Sequence, residues 1–320
     1  MRAVQVTETT GPDALQVVEL EEPVPDDGQL LVDVKAAGIS FPDLLLSRGQ
    51  YQLKPELPFT LGEELAGVVH KAPSGSKFSE GDRVVGYAIG GAFSEAALAV
   101  PLTTFRLPDE LDFAEGAGYL LNYHTAHFGL IRRAALKEGE TLLVHGAAGG
   151  TGTAAIQIGK ATGARVVAVV SSDEKEEIAR RAGADEVVRS DGDWRKEAGP
   201  ANVIFDPVGG SRFDESVRAL APEGRLLVIG FTEGAIPSVA VNRLLFRNVS
   251  VVGAGWGHFA LERPDYLDET AADLDRMVRE GFVRPLVGAR YSLDQIPQAL
   301  HDLEGRRAVG KLVLDLEAGG

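Results

Sequence analysis

The chain has 320 residues, 44% of them hydrophobic, and sets 32 Lys+Arg against 47 Asp+Glu for a formal net charge of −15. That apolar content excludes disorder, and the acidity argues against a nucleic-acid or anionic-membrane surface, whose phosphates would be repelled. Cysteine is absent, which removes disulfides, thiolate nucleophiles, redox pairs and every cysteine zinc site.

The length predicts two domains. The opening segment has no apolar stretch of the ~7–15 residues of a signal peptide, and no run approaches the ~18 of a membrane span. The expectation is a soluble, cytoplasmic protein with no membrane partner. In chain order, residues 1–110 carry short β-like runs at 3–7, 30–36, 66–70 and 83–87, separated by turn signals such as Glu80-Gly81-Asp82. That spacing predicts a barrel- or sandwich-like β unit. A helical stretch over 114–136 follows, then a turn at Lys137-Glu138-Gly139-Glu140.

From Thr141 strands alternate with helices. A strand at 141–145 and a helix over 153–162 precede an almost uninterrupted apolar strand at 165–170, as expected where a parallel sheet is covered on both faces. Ser172 is placed to cap an acidic-first-turn helix over 173–182. Strands at 186–189, 203–206, 225–229 and 249–253, with a helix over 213–220, complete an α/β doubly wound sheet of about six strands. The tail returns to helix at 264–280 and 293–304 and ends in a strand at 311–316.

The sharpest local signal is Val144-His145-Gly146-Ala147-Ala148-Gly149-Gly150-Thr151-Gly152. Glycines let a backbone turn tightly against a pyrophosphate, whose charge is received at a helix N-terminus. Alanine stands at 147, where the dinucleotide fingerprint has its first glycine, but a strand precedes, a helix follows, and a second strand ends about 20 residues beyond. The turn is therefore read as a dinucleotide site and not as a ligand-free glycine-rich loop. An NAD site places a carboxylate at the end of that second strand; this chain has valine there, in Val169-Val170-Ser171-Ser172-Asp173-Glu174-Lys175. Ser171, Lys175 and Arg189 are then the hydroxyl and cationic donors available to a 2′-phosphate, which favours NADPH. The plainer alternative pairs Lys175 with neighbouring acids on a solvated helix.

Other chemistries are excluded residue by residue. None of the six tyrosines has lysine four positions on, so the short-chain reductase base is missing, and no Gly-x-Ser-x-Gly elbow exists. The run Gly305 to Lys311 mimics a P-loop, but Leu312 replaces the Mg²⁺-binding hydroxyl and a strand follows. His124 and His127 share a helix face without a third ligand nearby, so packing or substrate contact is preferred to a metal.

Several stretches together resemble the medium-chain dehydrogenase/reductase superfamily and, within it, the zinc-free quinone oxidoreductase (zeta-crystallin-like) group. They are Ala37-Gly38-Ile39-Ser40-Phe41-Pro42-Asp43, Gly49-Gln50-Tyr51, Leu61-Gly62-Glu63-Glu64-Leu65-Ala66-Gly67, the turn at 144–150, Val228-Ile229-Gly230-Phe231 and Gly310-Lys311-Leu312-Val313-Leu314. The resemblance implies a Rossmann domain over 119–261 and a GroES-like β-rich catalytic domain over 1–118 and 262–320. The zinc-ligand positions of the alcohol dehydrogenase branch match Ser40, Glu63 and Leu121, which do not make a tetrahedral N/S site.

The same resemblance puts the pyrophosphate on Ala148, Gly149, Gly150, Thr151 and Gly152, and the 2′-phosphate on Ser171 and Lys175. A family tyrosine in that neighbourhood matches Ser190, leaving Arg189 to replace it. Thr125, Gly230 and Phe231 match positions near the nicotinamide, and Lys311 matches a cofactor-side residue. The family's asparagine matches Ser40, and Tyr51 matches a tyrosine at the mouth of the substrate cleft. The implied reaction is hydride transfer from NADPH to a quinone or to the β-carbon of an enone, with Tyr51 or a water as the donor to the acceptor oxygen. Phe41 and Phe231 are candidates to sandwich a flat acceptor, or else core residues, and Trp256 is a candidate acceptor-binding residue expected to border the cofactor on its other side. The group also implies a homodimer, through pairing of residues 248–252. Two alternatives stand beside this reading: an enoyl-thioester reductase, and a nucleotide-binding protein without turnover.

Overall fold

A computed structural model describes residues 1–317 and divides the chain into two compact units, Met1–Leu120 with the segment from Val287 onward, and Leu121–Leu286. In the first unit the long apolar strand Leu30–Ile39 pairs antiparallel with Glu64–Lys71, which pairs with Arg83–Ile89, which pairs with Ala96–Arg106. Ala96–Arg106 then pairs back onto Leu30–Ile39, Leu30 facing Ala99, so these four strands close into a small barrel. Closure removes exposed edges and gives each strand an inner row of side chains. Leu30, Val32, Leu65, Val84 and Ala97 fill that core and are all at most 1% exposed.

The returning strand Lys311–Asp315 adds to Leu30–Ile39 in antiparallel register, Leu312 opposite Ile39, and Val287–Tyr291 lies parallel beyond it. The helix Ile296–Glu304 buries Ile296, Ala299 and Leu300 in the same core. A separate three-stranded sheet joins Leu15–Glu19, Arg2–Val6 and Phe59–Thr60.

In the second unit six strands lie parallel in the order Glu186–Arg189, Arg165–Val170, Thr141–Val144, Ala201–Asp206, Leu220–Val228, Ser250–Gly253. Numbered along the unit this is 3-2-1-4-5-6, the doubly wound order, whose switch point lies between Thr141–Val144 and Ala201–Asp206. Helices cover both faces, so Val166, Val167, Ala168 and Val169 are at most 1% exposed. Among the described residues no helix is long and apolar enough to cross a membrane.

One expectation is corrected. The helical stretch over 114–136 is not one helix: it divides into Phe113–Gly116, Leu120–His127 and a π-helical turn Phe128–Arg133. Glycines 116 and 118 stand at the break, and at Gly118 a Cβ would lie 3.0 Å from Lys311 Cγ. The compact unit that holds the parallel sheet runs through Leu286. The helix Pro264–Arg279 buries Leu267, Leu274 and Met277, and its Asp273 lies 2.8 Å from His127 Nε2, so it belongs with the nucleotide-type sheet.

Candidate active site

The glycine-rich turn leads from Thr141–Val144 into the helix Gly150–Ala161. Only Gly146 within it has a left-handed backbone, at φ 58°, the region that glycine enters without steric cost. This explains why alanine is tolerated at 147: the conformational demand sits one residue earlier. The demand at Gly152 is for space, because a Cβ there would lie 2.2 Å from the Gly146 carbonyl oxygen. At Gly150 a Cβ would meet Asn122 Nδ2 at 2.8 Å, and Thr151 Oγ1 donates to Asn122 Oδ1 at 2.9 Å. Asn122, from the helix Leu120–His127, therefore ties down the first turn of the helix, where unsatisfied backbone N–H groups receive anions. Neighbouring His145 is fully buried, its Nε2 2.9 Å from Ser216 Oγ, and burial pushes its imidazole down to about 3.

At the end of the second strand the structure brings Ser171, Lys175 and Arg189 together. Lys175 Nζ donates to Ser171 Oγ at 3.1 Å, and Arg189 Nη2 donates to the Ser171 carbonyl at 3.0 Å. Arg189 reaches this place because its strand pairs in register with the second one, Arg189 opposite Val170. Its Nη1 donates to the Asp173 carboxylate at 2.5 Å. Ser172 accepts from the Lys175 backbone N–H, the cap expected for the helix Asp173–Arg181.

Beside the switch point, Asp206 closes its strand by accepting the N–H groups of Val208 and Gly209, both at 2.9 Å, and burial raises its carboxyl above the usual range. Gly209, with φ 64°, brings the backbone close to Phe231, whose Cδ1 would lie 3.0 Å from a Cβ at 209. Phe231, after Gly230 at the end of Leu220–Val228, remains 37% exposed. Thr125 is half-buried on Leu120–His127. Trp256 is buried, its ring tilted against His124 at 5.3 Å, and burial with neighbouring His127 pushes the His124 imidazole down to about 3.

In the first unit Ser40 and Phe41 open the helix Phe41–Ser47. Lys311 is buried there, its ammonium paired with Glu64 and donating to Ser40 Oγ at 2.8 Å. Gly38 makes room for this pair, since a Cβ would collide with the Glu64 carboxylate and the Ala117 carbonyl. Asp43, wholly buried, accepts from the Ser40 N–H at 2.7 Å. Burial, reinforced by Glu63, holds the Asp43 carboxyl well above the usual range. Glu63 is also raised, chiefly by burial, and accepts from Tyr87 Oη at 2.9 Å. Half-buried Tyr51 packs on this core, and burial with Glu63 and Asp43 pushes its phenol up to about 12. The sequence reading missed Asp43, Tyr87 and Asn122. Asp43 was visible inside a family motif; the other two carry no local signal.

Residues 26–109 match the family described as alcohol dehydrogenase GroES-like domain, and residues 150–272 the family described as zinc-binding dehydrogenase. Quinone oxidoreductase-like protein 2 of Mus musculus is 36% identical over 99% of this chain and 92% of its own length. Quinone oxidoreductase of Homo sapiens is 32% identical over 98% of this chain and 97% of its own. A mycobacterial protein solved in complex with NADPH superposes with a TM-score of 0.90 at 34% identity, covering 98% of this chain and 99% of that one. With a GroES-like barrel, a doubly wound sheet and such relatives along its whole length, the chain belongs to the quinone oxidoreductase group of the medium-chain dehydrogenases/reductases.

Proposed function

We propose that this protein is an NADPH-dependent oxidoreductase that passes hydride to a quinone or an α,β-unsaturated carbonyl, without zinc. The observation that carries it is the second unit's pair of features. One is a phosphate cradle that a Cβ at 150 or 152 would fill; the other is a strand end where Ser171, Lys175 and Arg189 converge. The mycobacterial structure with NADPH and the quinone oxidoreductase relatives support the same cofactor and acceptor class. Ala148, Gly149, Gly150, Thr151 and Gly152 would hold the pyrophosphate, and Thr125, Gly230 and Phe231 the nicotinamide end. The cofactor supplies the hydride.

The chain's own residues would orient the acceptor and manage charge on its oxygen. Ser40, Phe41, Tyr51 and Trp256 are assigned to acceptor binding, and buried Lys311 keeps Ser40 Oγ in a fixed hydrogen bond. A phenol pushed up to about 12 keeps its proton at neutral pH, so Tyr51 acts as a hydrogen-bond donor to the oxyanion while water supplies the proton. The zinc-free reading rests on donor chemistry. Of the three matching positions, Ser40 already accepts from a lysine ammonium, Glu63 from Tyr87, and Leu121 has no donor atom. We also propose a homodimer formed through the edge strand Ser250–Gly253.

Steady-state oxidation of NADPH and NADH with a benzoquinone, phenanthrenequinone, a simple enone and crotonyl-CoA, with and without EDTA, tests the proposal. Turnover of quinones or the enone, EDTA-insensitive and faster with NADPH, is the expected result. Reaction with crotonyl-CoA alone would replace it with a thioester reductase, and tight NADPH binding without turnover on any acceptor would make this a nucleotide-binding protein.

A further inference from the structure

Resting on the NADPH reading, the ion pair at the end of the second strand has a consequence for cofactor choice. Dinucleotide folds place a carboxylate near this point to take the ribose 2′-OH of NAD, or an arginine to take the 2′-phosphate of NADP. This chain has both, bonded to each other: Arg189 Nη1 donates to Asp173 Oδ1 at 2.5 Å. The guanidinium is anchored independently of that bond, because Nη2 holds the Ser171 carbonyl at 3.0 Å. Asp173 is the more exposed partner. Its side chain is 97% exposed, whereas that of Arg189 is 37% exposed. A second carboxylate, Asp191, lies 3.5 Å from Arg189 Nε with its side chain 72% exposed. The cation nearest Ser171 Oγ, Lys175, follows Asp173 and Glu174 in the same helix turn.

We propose that Asp173 is a specificity-determining residue that competes with the 2′-phosphate for Arg189. In the free protein its carboxylate takes the guanidinium hydrogen bond that a phosphate oxygen takes when NADPH binds. A dianionic phosphate outbids one exposed carboxylate for a guanidinium, so NADPH still binds. The exchange subtracts from NADPH affinity and leaves NADH, which carries no 2′-phosphate, nearly unaffected. The residue thus narrows the gap between the two cofactors.

The test is equilibrium binding, by fluorescence titration, of NADPH, NADH and 2′,5′-ADP to the full chain and to D173N, R189Q, K175Q and the D173N/R189Q pair. D173N should tighten NADPH and 2′,5′-ADP about two- to fivefold relative to NADH, the range of an exposed ion pair. That gain should vanish in the R189Q background. Unchanged or weaker NADPH binding in D173N overturns the proposal and makes Asp173 a brace that pre-positions Arg189. A gain that survives R189Q also overturns it, because the effect is then general electrostatics. Failure of the underlying reading has a different signature: 2′,5′-ADP binds none of the variants, and K175Q and R189Q do not alter NADPH affinity.

Discussion

Asp43 has one carboxylate oxygen on the Ser40 N–H and the other, Oδ1, buried without a hydrogen-bond partner. Burial is the largest cause of its raised pKa; Glu63 and Glu64 raise it further, and the Ser40 N–H and Lys311 lower it. A carboxyl raised in the folded state holds its proton after the unfolded chain has released one. Its contribution is therefore complete below the ordinary carboxylate pKa and is lost as pH rises through the folded value. Asparagine imitates the protonated form and cannot ionise. D43N should therefore gain stability relative to the parent protein as pH rises from 5 to 8. Urea unfolding of both proteins at the two pH values measures this, and a pH-independent difference would falsify the assignment of a raised carboxyl. His145 has the opposite sign: its imidazole stays neutral down to about 3, so it costs stability as pH falls below its unfolded pKa of about 6.5.

Within the elements, the phosphate turn depends most on single atoms. A methyl group at 152 would penetrate the Gly146 carbonyl, which belongs to the turn backbone and cannot rotate aside. G152A should cost about 1–3 kcal/mol, as overpacking does. It should also reduce NADPH affinity more than tenfold in a titration, while G28A, at a position where a Cβ meets nothing within 4 Å, should not. This turn was legible in sequence because one stretch of chain holds its strand, glycines and helix; only the location of the left-handed residue, Gly146 instead of 147, needed coordinates. The strand Arg165–Val170 was legible to its ends for the same reason, an apolar run closed by the Ser172 cap. The 114–136 expectation passes over Gly116 and Gly118, which sit at the break inside an otherwise helix-like run. The Asp43, Glu63 and Tyr87 cluster joins a helix, a loop residue and a strand, and nothing in local spacing reports such a meeting.

The proposed dimer turns on the last strand of the parallel sheet. Among the described residues Ser250–Gly253 pairs only with Leu220–Val228 and ends the sheet order. Successive residues of a strand direct their backbone groups alternately to the two sides. The Ala254 N–H bonds inward to the Val228 carbonyl, which sets 250 and 252 inward as well; the Gly253 carbonyl, on the other side, accepts from Arg133 Nε at 2.8 Å. Val251 is therefore the central position whose N–H and C=O face the open edge, where a second copy would add its own strand. Proline at 251 removes that donor and spares the inward ladder. Sedimentation of the parent chain should give twice the 33.9 kDa of one copy, and V251P should shift the population to single copies with an unchanged circular-dichroism spectrum. A V251P protein that stays double in mass with its secondary structure intact would move the interface away from this strand. A parent chain that sediments as one copy at all concentrations would remove the dimer from the proposal.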